Sequence, residues 1–211
     1  MVPKIIHQIV GKRPSALVKM CLESWKATIR HGFKIVYWDD ESLAKFIKDK
    51  YEFALEAFLN ARNHAEAADI ARYLVIYHYG GYYVDWDISL NNSQAFLSLA
   101  DKEQKGYVVI DPLNETLASE HFSALASNTY LYTIVEDIIS TYIKDERDLM
   151  ATPNYSGSYR MRATMRKFQN IEQSKIQVKE IFEYAYDEIR NHKVFMKSGI
   201  MTHYWEHSWF L

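Results

Sequence analysis

The chain is poor in the features that would place it outside a reducing compartment or across a bilayer. Cys21 is the only cysteine among 211 residues, so no internal disulfide can form and a small cross-linked secreted scaffold is excluded. No signal-peptide pattern and no apolar run of about twenty residues is visible. A cytoplasmic setting is therefore the expectation, extending to the inner face of the plasma membrane. Prolines number four and glycines seven, and no Pro/Gly/Ser-rich linker divides the sequence. A single domain over 1–211 is expected. Charge of neither sign dominates, with 25 Lys plus Arg against 27 Asp plus Glu. Without a strong overall field, nucleic acid is not an expected partner.

Aromatic residues are abundant instead: 16 Tyr, 10 Phe and 5 Trp. Most of these rings serve to fill a core, but those near polar residues also suit stacking on sugar rings and bases.

Alternation of helix and strand patterns predicts an α/β domain of Rossmann-like type. Val2 to Val10, closed by Gly11, reads as a buried central strand. Residues 15–30 carry Leu17, Met20, Cys21 and Trp25 at helical spacing, with Gly32 as the stop. Phe33 to Trp38 alternates as a strand and runs into the acidic helix start Asp39-Asp40-Glu41-Ser42. This β-α-β order implies a parallel pair. One or two helices follow over 42–60. An alanine-rich helix spans Ala65 to Tyr79 and ends at Gly80-Gly81, and a strand over 82–87 terminates in carboxylates. The later part is less regular, with a strand at 106–110, a helix at about 129–144 and a loop at 151–160. From Arg160 to Phe168 four basic residues alternate with Met161, Met165 and Phe168. This stretch reads mainly as a solvated helix face, and peripheral contact with a membrane surface or a lipid-linked acceptor stays open.

On a strand, Asp85 and Asp87 would share one face while Trp86 points away. Paired hard oxygens at the carboxyl edge of an open α/β sheet suit Mg²⁺ or Mn²⁺ bridging a diphosphate. Asp69 and Arg72 fall on one face of the preceding helix. There an aspartate can accept sugar hydroxyl protons and an arginine can neutralise phosphate, although the same pair also reads as an ordinary intrahelical ion pair. The closing His203-Tyr204-Trp205-Glu206-His207-Ser208-Trp209 offers a histidine to the metal, Ser208 to metal or phosphate and Trp209 as a lid. An aromatic tail docked on the sheet is the plainer account of the same residues, His207 included.

Together these residues resemble the Asp-X-Asp sugar-transferase family, which includes bacterial capsular-polysaccharide transferases and fungal initiating mannosyltransferases and is related more distantly to the clostridial glucosylating toxins. The resemblance rests on Pro3-Lys4-Ile5-Ile6-His7-Gln8-Ile9, Ser24-Trp25-Lys26, Tyr37-Trp38-Asp39, the block from Ala68-Asp69 and Arg72-Tyr73 through Gly80-Gly81 to Asp87, and the closing His203 to Trp209. It implies a GT-A fold with a mainly parallel sheet, the donor half lying at about 1–110 and the acceptor side and C-terminal lid at about 111–211. It also implies a Mn²⁺ or Mg²⁺ requirement and retaining transfer of a hexose from a nucleotide sugar, a UDP-sugar before GDP-mannose, to a saccharide or lipid-linked saccharide. Synthesis of bacterial surface or capsular polysaccharide is the implied setting.

By the same resemblance Asp85, Asp87 and Arg72 act in catalysis. His7, Gln8, Ile9, Val10, Asp69, Arg72, Asp85 and Trp209 hold the donor, while Asp87, Asp85, His203 and Ser208 hold the metal. Val10 stands where the family often has Trp, and no intact Thr-Gly-Pro stands at Thr152-Pro153. A metal-dependent nucleotide-sugar phosphohydrolase and a non-catalytic nucleotide-sugar-binding module are the competing readings of the same residues.

Overall fold

The structure is a computed structural model that describes residues 1–113, 115–184, 188–189 and 199–206. Along the chain the elements are β1 (Ile5–Ile9), α1 (Ala16–Ser24), β2 (Lys34–Trp38), α2 (Asp40–Lys50), α3 (Leu55–Leu59), α4 (His64–Tyr79), β3 (Gly81–Val84) and β4 (Ile88–Leu90). There follow α5 (Ser93–Lys102), β5 (Tyr107–Asp111), β6 (Thr116–Ala124), α6 (Thr129–Ile143), α7 (Thr152–Tyr155), α8 (Ser158–Met165), β7 (Ser174–Gln177), α9 (Val178–Ile181) and β8 (Met201–His203).

Among the described residues six strands form one sheet in the order β2-β1-β3-β6-β5-β7, and β4 pairs with β8 in a separate ribbon. The β1/β2, β1/β3 and β5/β7 junctions are parallel, and β3/β6 and β5/β6 are antiparallel. A mainly parallel sheet was the expectation. Its two faces carry separate apolar layers. One packs Phe46, Leu74, Ile134 and Met161 from α2, α4, α6 and α8. The other packs Trp25, Ile88, Phe96 and Ile181 around β4, α5 and α9. No helix among the described residues is long and apolar enough to cross a membrane.

β1 begins three residues later than its apolar run suggests, because Pro3 has no N–H and its carbonyl is taken by the Ile5 amide. The helix after it starts on the Ser15 side chain, which accepts from the Val18 amide. It stops short of the expected 30. Ser24 Oγ donates to Cys21 O and accepts the Leu90 amide, and the chain tightens into a 3₁₀ segment at Trp25–His31 closed by Gly32 at φ 85°. Asp39 and Ser42 cap α2 reciprocally. Asn63 caps α4, a helix buried over most of its circumference.

Two further expectations change. The strand ending in carboxylates stops at Val84. Its ladder with β6 ends at Val84 and His121, with one further bond from the Asp85 amide to Glu120 O, and the Ile88 amide then donates to Asp85 O. Asp85 and Asp87 thus stand in a turn between two sheets and not on one face of a strand.

Residues 151–160, expected as loop, hold α7 and the start of α8. Pro153 occupies the first turn of α7, where its missing N–H costs nothing, and buried hydroxyls of Tyr73 and Tyr130 donate to Ser156 O and Met161 O.

The basic stretch from Arg160 to Phe168 buries Met161 and leaves Arg166 and Lys167 exposed, as a solvated face would, while two of its four cations meet carboxylates. Arg160 donates to Tyr155 O and Thr141 Oγ1, Arg162 pairs with Glu115, and Lys167 pairs with Asp137.

Candidate active site

The turn after β3 points both aspartates into one cavity. Tyr83, the penultimate residue of β3, donates its hydroxyl to Asp85 Oδ1 at 2.5 Å. Asp87 Oδ2 accepts the Glu206 amide at 2.8 Å, and its carbonyl accepts the Tyr204 amide at 3.1 Å. The β4/β8 register sets Ile88 opposite His203, which brings His203 Nε2 to 3.4 Å from Asp87 Oδ1. On the other side of the ring, Nδ1 lies 3.6 Å from Glu120 Oε1. Trp205 stacks on the imidazole at 4.1 Å. A ribbon closed by the C-terminal segment is therefore what completes the acidic turn.

Charges here are strongly coupled to burial. Burial and the neighbouring Asp87 push the Asp85 carboxyl up to about 6 in spite of Arg72. Burial acts the same way on Asp87, but the facing imidazole and the backbone donors outweigh it and hold that carboxyl below its ordinary value. Burial alone would lower His203, and the Asp87 and Glu120 carboxylates reverse this, raising it to about 10.

One ligand atom each from Asp85, Asp87 and His203 lies within 4.8 Å of the others. Two carboxylate oxygens and an imidazole nitrogen suit a small divalent cation of Mg²⁺ or Mn²⁺ type. Glu120 occupies the outer position from which a carboxylate orients a ligating histidine. A proton and a cation would compete for the same Nε2, so the residues present fit a metal.

Beside this cluster α4 presents Asp69 and Arg72, both buried. Arg72 Nη2 lies 3.4 Å from Asp69 Oδ1 and 3.4 Å from Asp85 Oδ1. Its Nη1 donates to Ser119 O at 2.6 Å, Nε donates to Ala68 O at 3.3 Å, and the guanidinium lies over the Tyr83 ring. Although burial disfavours its charge, Asp85 and Asp69 keep it fully ionised. Asp69 Oδ2 accepts from Ser156 Oγ at 2.7 Å, and Gly157 closes over it so tightly that a Cβ would stand 3.3 Å from the same oxygen. The intrahelical pair is thus a buried organiser linking α4, the acidic turn and the α7–α8 corner.

Asp69, Arg72, Asp85, Asp87, Glu120 and His203 line one cavity of about 540 Å³, bordered also by Ile9, Val10, Lys12, Arg13 and Trp86, with Ser156 behind Asp69 outside the lining. His7 and Gln8 are buried in β1 outside that lining. His7 is held by Trp38 and Gly80, and its ring clusters with those of Trp38 and Tyr79, which also contact each other. His207, Ser208 and Trp209 lie outside the described residues. The structure adds Tyr83, Glu120, Ser156, Lys12 and Arg13 to the site. The basic pair immediately after the first strand was a readable signal, because ligands in open α/β sheets bind beyond strand carboxyl ends. Glu120 and Ser156 carried none, since only register and packing bring them in.

Residues 15–122 match the family described as "Glycosyltransferase sugar-binding region containing DXD motif". The chain belongs to this family. It is 26% identical over 148 residues to inositol phosphoceramide mannosyltransferase 1 of Schizosaccharomyces pombe, covering 65% of this chain and 43% of that protein. It is 34% identical over 93 residues to mannosyl phosphorylinositol ceramide synthase SUR1 of Saccharomyces cerevisiae, covering 41% and 23%. The chain thus spans less than half the length of these relatives. Among solved structures, the PaToxG glycosyltransferase superposes with a TM-score of 0.55 at 16% identity, over 79% of this chain and 69% of that one. The fold is GT-A.

Proposed function

We propose that this protein is a retaining glycosyltransferase that moves a hexose from a nucleoside-diphosphate sugar to a hydroxyl of a saccharide or lipid-linked acceptor. The observation that carries the reading is the convergence of Asp85, Asp87 and His203 with the Asp69–Arg72 pair on one cavity at the sheet's carboxyl edge. A divalent cation held by Asp85, Asp87 and His203 would neutralise the diphosphate as it leaves.

The chain's own residues do the rest. Asp69, fixed by Ser156 and Arg72, presents a carboxylate oriented to accept hydroxyl protons of the sugar. Arg72 holds Asp69 and Asp85 in one geometry, and Tyr83 orients Asp85 from below. Trp86, with the ends of β1 at Ile9 and Val10, offers apolar surface for the base.

Retention is supported by how the lining carboxylates are engaged. Asp69 and Asp85 face Arg72, Asp87 and Glu120 face His203, Glu206 accepts the Ser15 hydroxyl, and Asp40, at the exposed rim, lies 3.9 Å from His64. Proton transfer from the acceptor to the departing phosphate, with attack on the same face, fits that arrangement. Mannose, and hence GDP-mannose, is the favoured donor, because relatives named above are mannosyltransferases. Their names speak of inositol phosphoceramide and support a lipid-headgroup acceptor on the cytoplasmic or another membrane surface. The capsular setting implied by the resemblance gains no support from them.

Asp87→Ala should lower metal-dependent nucleotide-sugar turnover by roughly 10²–10³-fold, the scale set by losing one charge-stabilising group. Turnover is measured as nucleoside diphosphate released with and without acceptor. Wild-type rates in the variant, or wild-type cleavage that no saccharide or glycolipid stimulates, would overturn the assignment.

A further inference from the structure

A diphosphate entering this cavity meets an acidic wall. Asp40, Asp69, Asp85, Asp87, Glu120 and Glu206 line it, against the three unambiguous cations Lys12, Arg13 and Arg72. Arg72 is the obvious phosphate partner by residue type, yet its position argues otherwise. A guanidinium has five N–H groups, and four contacts draw on all but one of them: Ala68 O, Ser119 O, Asp69 and Asp85. Its face is covered by Tyr83. Its charge is shared between two buried carboxylates, and turning it toward a ligand would leave both uncompensated.

Lys12 and Arg13 are situated differently. Both are exposed, both line the cavity, and neither has a hydrogen-bond or ion-pair partner among the described residues. The loop that carries them is fixed at both ends against the metal cluster. At one end the Val10 amide donates to Trp38 O, and Gly11 lies so close to Trp86, between the two aspartates, that a Cβ there would stand 3.0 Å from the indole. At the other end Ser15 donates to Glu206, whose own amide donates to Asp87. The two cations therefore sit on a short strap that spans the mouth of the acidic turn.

We propose that Lys12 and Arg13 form the protein's grip on the diphosphate of the donor, whereas Arg72 acts as a positioning residue for Asp69 and Asp85. This rests on the glycosyltransferase reading and names the part of that site which meets the leaving group. The strap supplies charge that is free before the ligand arrives, so binding costs no existing ion pair.

The test is calorimetric titration of UDP and of GDP, each with Mn²⁺, into wild type, Lys12→Ala/Arg13→Ala, the charge-conserving Lys12→Arg/Arg13→Lys, and Lys19→Ala. Lys19 is exposed on α1 away from the lining and reports any effect of net charge alone. The alanine pair should raise Kd for the diphosphate that binds at least tenfold, with wild-type-like values for the exchange pair and for Lys19→Ala. Equal affinity of wild type and the alanine pair overturns the strap assignment while leaving the glycosyltransferase reading intact. A wild-type protein that binds neither diphosphate overturns both. An equal loss in Lys19→Ala reduces the effect to general charge and also overturns the strap.

Discussion

Two buried histidines outside the cavity lining show how much a single ring can demand of its surroundings. His7 Nδ1 accepts from the Trp38 indole at 3.1 Å while Nε2 donates to Gly80 O at 3.1 Å. His121 Nδ1 donates to Tyr83 O at 2.7 Å, leaving Nε2 to accept from the Tyr107 hydroxyl at 2.6 Å. Each ring works only when neutral, and burial lowers both to about 4. Between pH 6.5 and 4 the unfolded chain takes up protons that the folded one refuses, so these histidines remove stability as pH falls. Asp85, raised to about 6, acts in the opposite sense over the same interval, so the effect is read as a difference between proteins. His7→Gln should flatten the acid limb by roughly 1.4 kcal/mol per pH unit, the value of one proton. Urea unfolding from pH 4 to 6.5 measures it, and parallel curves for variant and wild type would refute it. The sequence reading assigned His7 to the donor. Nothing in the residue's type or spacing announces the Trp38 and Tyr79 rings beside it, since both arrive from other elements.

At the scale of elements, legibility followed locality. The acidic start at Asp39 and the stop at Gly32 were readable because each is made within a few residues. β6 was not. Its Thr-Leu-Ala-Ser-Glu-His-Phe-Ser-Ala looks too polar for an interior strand, yet His121 and Ser123 are buried with partners supplied by Tyr83 and Tyr107. The end of β3 was misplaced for a related reason: only the β6 register shows where pairing stops.

Two left-handed glycines make the contrast measurable. At Gly81, φ 105°, a Cβ would lie 2.5 Å from Ile5 O, where β3 meets β1. At Gly32, φ 85°, it would meet nothing within 4 Å. Alanine at 32 should cost about 1 kcal/mol for backbone conformation alone, and alanine at 81 more than about 3 kcal/mol, because backbone must also move. Equal costs in chemical denaturation would mean that the β1/β3 approach is not tight.

For the molecule as a whole, donor and metal should act as ligands of the native state. The nucleoside diphosphate that binds, with Mn²⁺ at about one hundred times Kd, should add about 2.7 kcal/mol. At about 2–4 °C per kcal/mol for a chain of this size, melting should rise by roughly 5–10 °C. EDTA should abolish the shift, and a shift that survives chelation would separate nucleotide binding from Asp85, Asp87 and His203.

These three ligands also carry a temporal meaning. A ribosome makes the aspartate turn after β3 well before the imidazole opposite it, which belongs to β8. Domains condense as synthesis proceeds, so the sheet can settle while its acidic corner still lacks a counterweight. The carboxylate pair would then wait for β8 to dock before its three ligands could close on one cation.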